Sequence, residues 1–217
     1  MVNVQQFAKL VKEAREKAKK RGFSQSFDLV VSLRDIDIKK QEMNINEVVY
    51  LPKKFSKKPL VCVFAGGDLA LRAGRGGADR VIEPDELDKK STDKRQLRKI
   101  ANDYMFFLSE TALMPKIGKT FGQFLGPRGK MPTPLPPNAP VEGLIARFVS
   151  AVRVRNRGGL AISCKIGDEG MSNEDLTENA LSIYNVIEKK LPSGFNNVNK
   201  VMIKMSMGEL VAISPVN

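Results

Sequence analysis

The chain has 217 residues and a formal net charge of +12, with 36 lysines and arginines against 24 aspartates and glutamates. This length is enough for one large domain or two smaller ones, each with its own core. The positive excess favours a polyanionic partner, either a nucleic acid or an anionic membrane surface. Because the sequence contains no histidine, it excludes Ser-His-Asp and Cys-His catalysis and most zinc sites.

No apolar run in the sequence is long enough to cross a membrane, so we expect no membrane-spanning segment. The first residues, MVNVQQFAKLVKEAREKAKK, contain no apolar signal core, which predicts a cytoplasmic protein. Cys62 and Cys164 lie far apart, each within an apolar run. We therefore expect buried, reduced thiols rather than a disulfide or a metal site.

The N-terminal residues have the patterns of an α+β fold. Apolar side chains recur at helical spacing from Phe7 to Ala18, and Arg21-Gly22 ends this predicted helix. Apolar and polar residues alternate at 27–33 and again at 45–51, which predicts two neighbouring strands. Such half-buried strands are typical of an antiparallel sheet with helices on one face.

The pattern changes after Pro52. Residues 52–59, PKKFSKKP, carry four lysines between two prolines and are typical of a linker. Residues 60–65 are continuously apolar, as expected of a strand buried on both faces of a parallel sheet. Helices and strands then alternate, which predicts a doubly wound α/β unit. The predicted elements lie at residues 69–71, 80–82, 95–100, 104–108, 115–125 and 144–149.

The C-terminal residues return to the alternating pattern. Strands are predicted at 152–155 and 160–166, followed by a helix that Ser172 caps and that stops at Pro192. A last strand places Val201, Ile203, Met205 and Met207 on one face.

Both chain ends therefore predict one discontinuous domain, residues 1–57 and 154–217. It is an α+β domain with an antiparallel sheet, helices on one face and a split βαβ-like topology. We expect residues 58–153 to form an inserted α/β, Rossmann-like, three-layer second domain. The chain passes between the two predicted domains twice. Both connecting segments are basic: residues 52–59 carry four lysines, and the second segment carries Arg153, Arg155 and Arg157. Two such connections predict a hinge between the domains.

Glycine-rich segments suggest nucleotide binding but lack the required residues. In GPRGKMPTPLPP (126–137), Gly129-Lys130 is followed by Met131 rather than serine or threonine, and the prolines cannot open a helix. The first glycine of the motif is replaced by Phe124 before Gly129-Lys130 and by Leu113 before Gly118-Lys119. Gly66-Gly67 lacks the third glycine of a dinucleotide loop.

The acidic pairs Asp35/Asp37 and Asp168/Glu169 are assigned to turns and strands, since nothing in the sequence fixes them in a pocket. The sequence predicts no catalytic residues, no cofactor and no enzyme. A nucleotide turnover assay tests the enzyme alternative.

Three segments combine small polar residues or glycine with an apolar side chain: QSFD (25–28), KIGDEGM (165–171) and KMSMG (204–208). Small residues allow an RNA backbone to approach closely, and apolar side chains pack on sugars and bases. Lysine and arginine neutralise phosphates and release counterions. Together these features favour RNA binding.

These segments, in this order, resemble the ribosomal protein L1 family in its archaeal-type form. The resemblance covers essentially the whole chain, and LGPRGKMP is its most specific motif. It is carried by SQSFDLVVSLRDIDIKK (24–40), KTFGQFLGPRGKMPTPLPPNA (119–139), KIGDEGMS (165–172) and KMSMGELVAI (204–213).

The resemblance implies a structural protein of the large ribosomal subunit, located in the cytoplasm on the ribosome. It would bind large-subunit ribosomal RNA at the mobile stalk near the tRNA exit site and aid release of deacylated tRNA there. It would also repress translation by binding its own messenger RNA, and be a monomer when free. A stand-alone RNA-binding regulator is the alternative, and co-sedimentation with large subunits distinguishes the two.

The resemblance also assigns the RNA-binding residues, which it places on the first lobe. They are Ser26, Phe27, Lys165, Gly167, Lys204, Ser206, Met207 and Gly208. The family often has threonine at position 206, and serine keeps the hydroxyl group. Arg128 and Lys130 in the proline-rich loop are expected to be secondary RNA contacts.

Overall fold

The computed structural model describes residues 3–36, 45–90, 93–136, 140–156 and 158–214. Asp37, Pro137 and Arg157 lie outside the described residues, as do parts of the segments 24–40 and 119–139. In chain order the helices and strands are α1 (Val4–Glu16), β1 (Ser26–Leu33), β2 (Asn46–Tyr50), β3 (Val61–Phe64), α2 (Gly67–Arg75), β4 (Arg80–Ile82), α3 (Pro84–Lys90), α4 (Lys94–Asp103), β5 (Phe106–Glu110), α5 (Met114–Thr120), α6 (Gly122–Leu125), β6 (Thr133–Leu135), α7 (Val141–Phe148), β7 (Ala151–Arg155), β8 (Ala161–Asp168), α8 (Asn173–Lys190), β9 (Val198–Met205) and β10 (Val211–Ile213).

The chain forms two compact units. One comprises Met1–Lys57 and Ser150–Asn217, and the other comprises Lys58–Val149. The chain re-enters the first unit at Ser150, before the boundary of 153/154 expected from the sequence. The reason is that β7 pairs with β2 along its whole length, from Tyr50↔Ala151 to Asn46↔Arg155.

The first unit contains a four-stranded antiparallel sheet with the order β10-β9-β1-β8. Alternate residues of β1 are buried, as the sequence predicts. Their side chains form one core with the apolar faces of α1 and α8. Ser172 Oγ accepts a hydrogen bond from Asp175 N at 3.1 Å, which confirms the predicted cap of α8.

The prediction that the strand at 45–51 lies beside the first strand is wrong. β2 pairs with β7 in a separate two-stranded antiparallel sheet, and the neighbours of β1 are β8 and β9. Alternation predicts which face of a strand is buried, but it does not identify the pairing partner. The consequence is that β8 and β9, which carry the predicted site residues Lys165, Gly167 and Lys204, both flank β1.

The second unit contains a parallel sheet with the order β4-β3-β5-β6. All four residues of β3 are buried, as predicted, because helices cover both faces of the sheet. On one face the Phe64 ring lies 5.2 Å from the Phe121 ring, and on the other the Phe106 ring lies 5.2 Å from that of Phe148 in α7.

Several element bounds in the second unit differ from the predictions. β5 begins at Phe106 rather than at residue 104, and the helix expected at 115–125 is divided at Phe121 into α5 and α6. Thr133–Leu135, expected in an extended proline-rich loop, forms the edge strand β6. An edge position accommodates Pro134, which has no N–H to donate to the ladder.

Both cysteines are buried and reduced, as predicted. Burial, with a contribution from the nearby Asp28 carboxylate, raises the pKa of the Cys164 thiol to about 12. Among the described residues, no helix is both long and apolar enough to cross a lipid bilayer.

Candidate RNA-binding surface

Ser26, at the start of β1, and Ser206, just after β9, are joined by hydrogen bonds. Their hydroxyl oxygens lie 3.0 Å apart, Ser26 N donates to Ser206 Oγ at 3.1 Å, and Ser206 N donates to Ser26 O at 3.0 Å. Both residues are half-buried. Because a hydroxyl has one hydrogen and two lone pairs, Ser26 Oγ keeps capacity for a ligand.

Met207 follows Ser206 in a turn, and 61% of its surface is exposed. The prediction that it shares the buried face of Met205 is wrong, because β9 ends at Met205 and the chain then turns. Met207 N donates to Gln25 Oε1 at 3.2 Å, and Gly208 N donates to Met205 O at 2.9 Å. These bonds fix the turn and leave the Met207 side chain exposed.

Gly208 lets the turn pack closely. A Cβ atom at this position would lie 3.3 Å from Met205 Cβ and 3.6 Å from Ala18 Cβ. The turn is therefore packed against the end of α1. Lys17, Lys19, Lys20 and Arg21 are exposed in the segment that follows this helix, residues 17–21, which we call the basic segment.

The assignment of Phe27 as an RNA contact is corrected by its burial. Its side chain is 0% exposed and belongs to the core of the first unit. The Arg15 guanidinium covers the ring, with its central carbon 5.2 Å from the ring centroid. Phe27 therefore supports the surface from below and has no ring face available for a base.

The assignment of Gly167 is corrected for the same reason. This residue is buried opposite Phe27, and a Cβ atom there would lie 2.2 Å from Leu176 Cδ2 and 2.8 Å from Met171 Sδ. The glycine is therefore required by the packing of α8 against β8. Its absent side chain does not open space for RNA.

Lys165 and Lys204 lie on the face of the sheet opposite the helices. Both pair with Asp28 across the strands, Lys204 from β9 and Lys165 from β8. Burial raises the pKa of the Asp28 carboxyl, and the positive charges of Lys204 and Lys165 oppose that shift. Lys165 also forms an ion pair with Asp168, and its Nζ lies 4.9 Å from the centroid of the Phe55 ring.

The segment predicted as a linker is bound to the first unit over residues 53–57. Lys53 N and O are bonded to the side-chain amide of the buried Asn179, at 3.1 and 3.2 Å. Lys57 N donates to Asp168 Oδ2 at 3.3 Å. Asp168 thus holds this segment, consistent with the structural role expected for the Asp168/Glu169 pair.

The side chains of Arg128 and Lys130 donate hydrogen bonds to main-chain carbonyl groups at helix ends within the second unit. Arg128 Nη1 donates to Phe124 O at 2.8 Å, and Lys130 Nζ donates to Ala101 O and Tyr104 O at 2.9 and 2.7 Å. Cationic side chains commonly satisfy the last carbonyl groups of helices. Both side chains therefore have a structural role within the second unit, and their secondary contacts with RNA stay a prediction.

Sequence reasoning missed Phe23, which lies between the basic segment and β1. Its ring is 53% exposed, and it precedes by two residues the Gln25 that holds the Met207 turn. Its signal in the sequence is an aromatic residue outside both the helical and the strand periodicity. We define the candidate surface as Phe23, Ser26, Ser206, Met207 and Gly208.

The candidate surface thus lies at one end of an antiparallel sheet, beside exposed lysine and arginine side chains. The antiparallel sheet of the first unit and the parallel sheet of the second make this a mixed α/β protein. Its candidate surface is basic and carries two hydroxyl groups. A model of the Ribosomal protein L1p/L10e family matches residues 11–209. The chain therefore belongs to this family, as its resemblance predicts.

Individual relatives are similar along nearly their whole lengths. The protein from Cenarchaeum symbiosum is 50% identical over 211 residues, which are 97% of each chain. The Thermofilum pendens protein is 45% identical over 90% of this chain and 87% of its own. The Archaeoglobus fulgidus protein is 40% identical over 98% and 99%, respectively. All three are named large ribosomal subunit protein uL1, and none is named as an enzyme.

Proposed function

We propose that this protein is a structural component of the large ribosomal subunit that binds ribosomal RNA at the mobile stalk. Its RNA-binding site is the candidate surface of the first unit. The observation that carries this proposal is the bonded Ser26–Ser206 pair, with Met207 exposed beside it and the basic segment adjacent. Family membership and the names of the relatives support the ribosomal role.

The surface acts in two layers. Ser26 and Ser206 hydrogen-bond to 2′-hydroxyl or phosphate oxygens of a folded RNA, while Met207 and Phe23 pack on sugars and bases. Because the main chain around the serines is already fixed, little ordering entropy is lost on binding. The basic segment with Lys204 adds affinity that depends on salt and not on sequence.

The finer parts of the proposal rest on the chain's membership of the L1 family. The two units act as separate domains joined by two crossings, with the first domain holding the ribosomal RNA. Near the exit site, the protein aids release of deacylated tRNA. When free, it is a monomer in the cytoplasm that binds a similar RNA shape in its own messenger RNA and represses translation.

The test is Met207→Asp, measured by filter binding to a transcript of the stalk region of large-subunit ribosomal RNA. We expect affinity to fall at least about tenfold, because the apolar contact is lost and a carboxylate faces phosphates. Leu71→Asp is the matched control, since Leu71 is 65% exposed but lies on α2 of the second unit. Equal affinity of Met207→Asp and Leu71→Asp would overturn the assignment of the surface.

Co-sedimentation tests the ribosomal role separately. We expect the protein to migrate with large subunits, and Met207→Asp to be depleted from them. Binding to the messenger RNA without any association with subunits would instead identify a stand-alone regulator.

A further inference from the structure

Gln25 is a buried polar residue at the centre of the loops that form the candidate surface. It is 1% exposed, and its side-chain amide and its main-chain N–H and C=O groups are all hydrogen-bonded. Its Nε2 donates to Lys19 O at 3.0 Å, and its Oε1 accepts from Met207 N at 3.2 Å. Its main-chain N donates to Glu169 Oε2 at 3.1 Å, and its O accepts from Glu169 N at 2.9 Å.

These bonds join three segments that are distant in sequence. Lys19 belongs to the basic segment, Glu169 to the turn between β8 and α8, and Met207 to the turn between β9 and β10. The two bonds of the side-chain amide connect the basic segment directly to the Met207 turn. Each of these two segments supplies one layer of the proposed RNA contact.

The two side-chain bonds fix the orientation of the amide. Lys19 O can only accept a hydrogen bond, and Met207 N–H can only donate one. The position therefore requires a donor on one side and an acceptor on the other, which glutamine supplies. A carboxylate would satisfy Met207 N–H but would place a negative oxygen against Lys19 O.

We infer that Gln25 is a positioning residue, whose buried amide sets the Met207 turn relative to the basic segment and so determines selectivity for folded RNA. This inference rests on the proposed function. Gln25 has almost no exposed surface with which to contact RNA, so its effect is exerted through Met207 and Lys19. The turn is small, and losing one of its few anchoring bonds displaces the side chain that packs on RNA.

Gln25→Glu provides a test with a pH signature. A protonated carboxyl group donates to Lys19 O and accepts from Met207 N–H, which restores the wild-type pattern. Burial and the neighbouring Glu169 carboxylate raise the pKa of a carboxyl group at position 25. Charged groups on the segments packed there are those of Arg15, Glu169 and Glu209, together with Lys17, Lys19, Lys20 and Arg21 of the basic segment. All are present in the wild type, whose own pH profile is the baseline.

The experiment measures full-length protein against two probes, a stalk-region ribosomal RNA transcript and a single-stranded RNA of equal length. At about pH 8 we expect Gln25→Glu to lose roughly tenfold or more in affinity for the transcript, with a smaller loss for the single strand. At about pH 5.5 we expect Gln25→Glu to recover most of the lost affinity for the transcript, measured relative to the wild type at the same pH.

Ser24→Glu is the matched control, since Ser24 is exposed next to Gln25. It adds the same charge at a solvated position whose carboxyl keeps a pKa near the ordinary value of about 4.3. We therefore expect a loss of affinity for both probes that stays constant across this pH range. Gln25→Met, which lacks both side-chain bonds at similar volume, should lose selectivity at every pH.

The outcomes separate the two hypotheses. If the wild type does not prefer the stalk transcript over the single strand, the proposed function fails. If it does, but Gln25→Glu and Gln25→Met retain that preference, the positioning role is overturned. Thermal melts identify unfolding, and equal losses for both probes without acid recovery would likewise overturn the inference.

Discussion

The hydroxyl oxygens of Ser26 and Ser206 lie 3.0 Å apart although the two residues are 180 positions apart in the chain. Ser206 Oγ also accepts a hydrogen bond from Ser26 N, so this side chain satisfies the main-chain N–H of the first residue of β1. The contact depends on the pairing of β9 with β1, whose register brings Phe27 opposite Met205. The candidate surface is therefore a product of tertiary structure and not of a local motif.

Ser206→Ala should lower affinity for the stalk transcript about fivefold to tenfold, since a hydrogen bond contributes about 1 kcal/mol net. Ser206→Thr should bind like the wild type, because threonine keeps the hydroxyl. Filter binding with both variants checks this. A loss in Ser206→Thr as large as that in Ser206→Ala would show that shape, and not the hydroxyl, matters at this position.

Gly167→Ala should lower the free energy of unfolding by about 1–3 kcal/mol, the usual cost of overpacking a core. The added Cβ would lie 2.2 Å from Leu176 Cδ2, so α8 or β8 must shift. Gly22→Ala is the control, since nothing lies within 4 Å of a Cβ there, and we expect a change within about 0.5 kcal/mol. Denaturant titration compares them. Unchanged stability with lost RNA binding in Gly167→Ala would return Gly167 to the RNA contacts.

Periodicity predicts local structure well in this chain. The alternation in β1, the apolar run of β3 and the cap of α8 all appear at their expected places. Pairing was less predictable, since β2 joins β7 through contacts between residues more than a hundred positions apart. Nothing in a local pattern encodes such a partner.

The predicted site residues likewise depend on strand pairing, which the local pattern does not determine. Ser26, Ser206 and Met207 meet at the candidate surface, whereas Phe27 and Gly167 point into the core. The family motif identifies a segment, but the strand register decides which of its side chains are exposed. Gln25 lies in the predicted segment 25–28, but its role was missed because that role depends on how the loop before β1 packs on distant turns.

Replacing Arg128 and Lys130 with alanine should destabilise the second unit while leaving RNA affinity within about twofold of wild type. Their side chains donate to the carbonyl oxygens of Phe124, Ala101 and Tyr104, and each bond to a charged group contributes about 1.5–3 kcal/mol. Thermal melts and filter binding on the same preparation check this. An affinity loss larger than that of Met207→Asp would make both residues primary rather than secondary RNA contacts.

Tyr184→Phe should leave stability at neutral pH unchanged or raise it. The hydroxyl of Tyr184 is buried and, among the described residues, has no hydrogen-bond partner, while its ring packs edge-on against Phe7 with centroids 5.6 Å apart. Phenylalanine keeps this ring contact and removes the unsatisfied group. Denaturant titration at neutral pH measures the difference, and a loss above about 1 kcal/mol would show that the hydroxyl has a partner.

The same substitution has a distinct effect in alkali. Burial, aided by the Glu188 carboxylate, raises the pKa of the Tyr184 hydroxyl to about 12. An unfolded tyrosine ionises near pH 10, so between about pH 10 and 12 only the unfolded state loses this proton and wild-type stability falls. Tyr184→Phe lacks this contribution. Its advantage over wild type should therefore grow by up to about 1.4 kcal/mol per pH unit in that window. A constant difference across the window would mean that Tyr184 ionises normally in the folded protein.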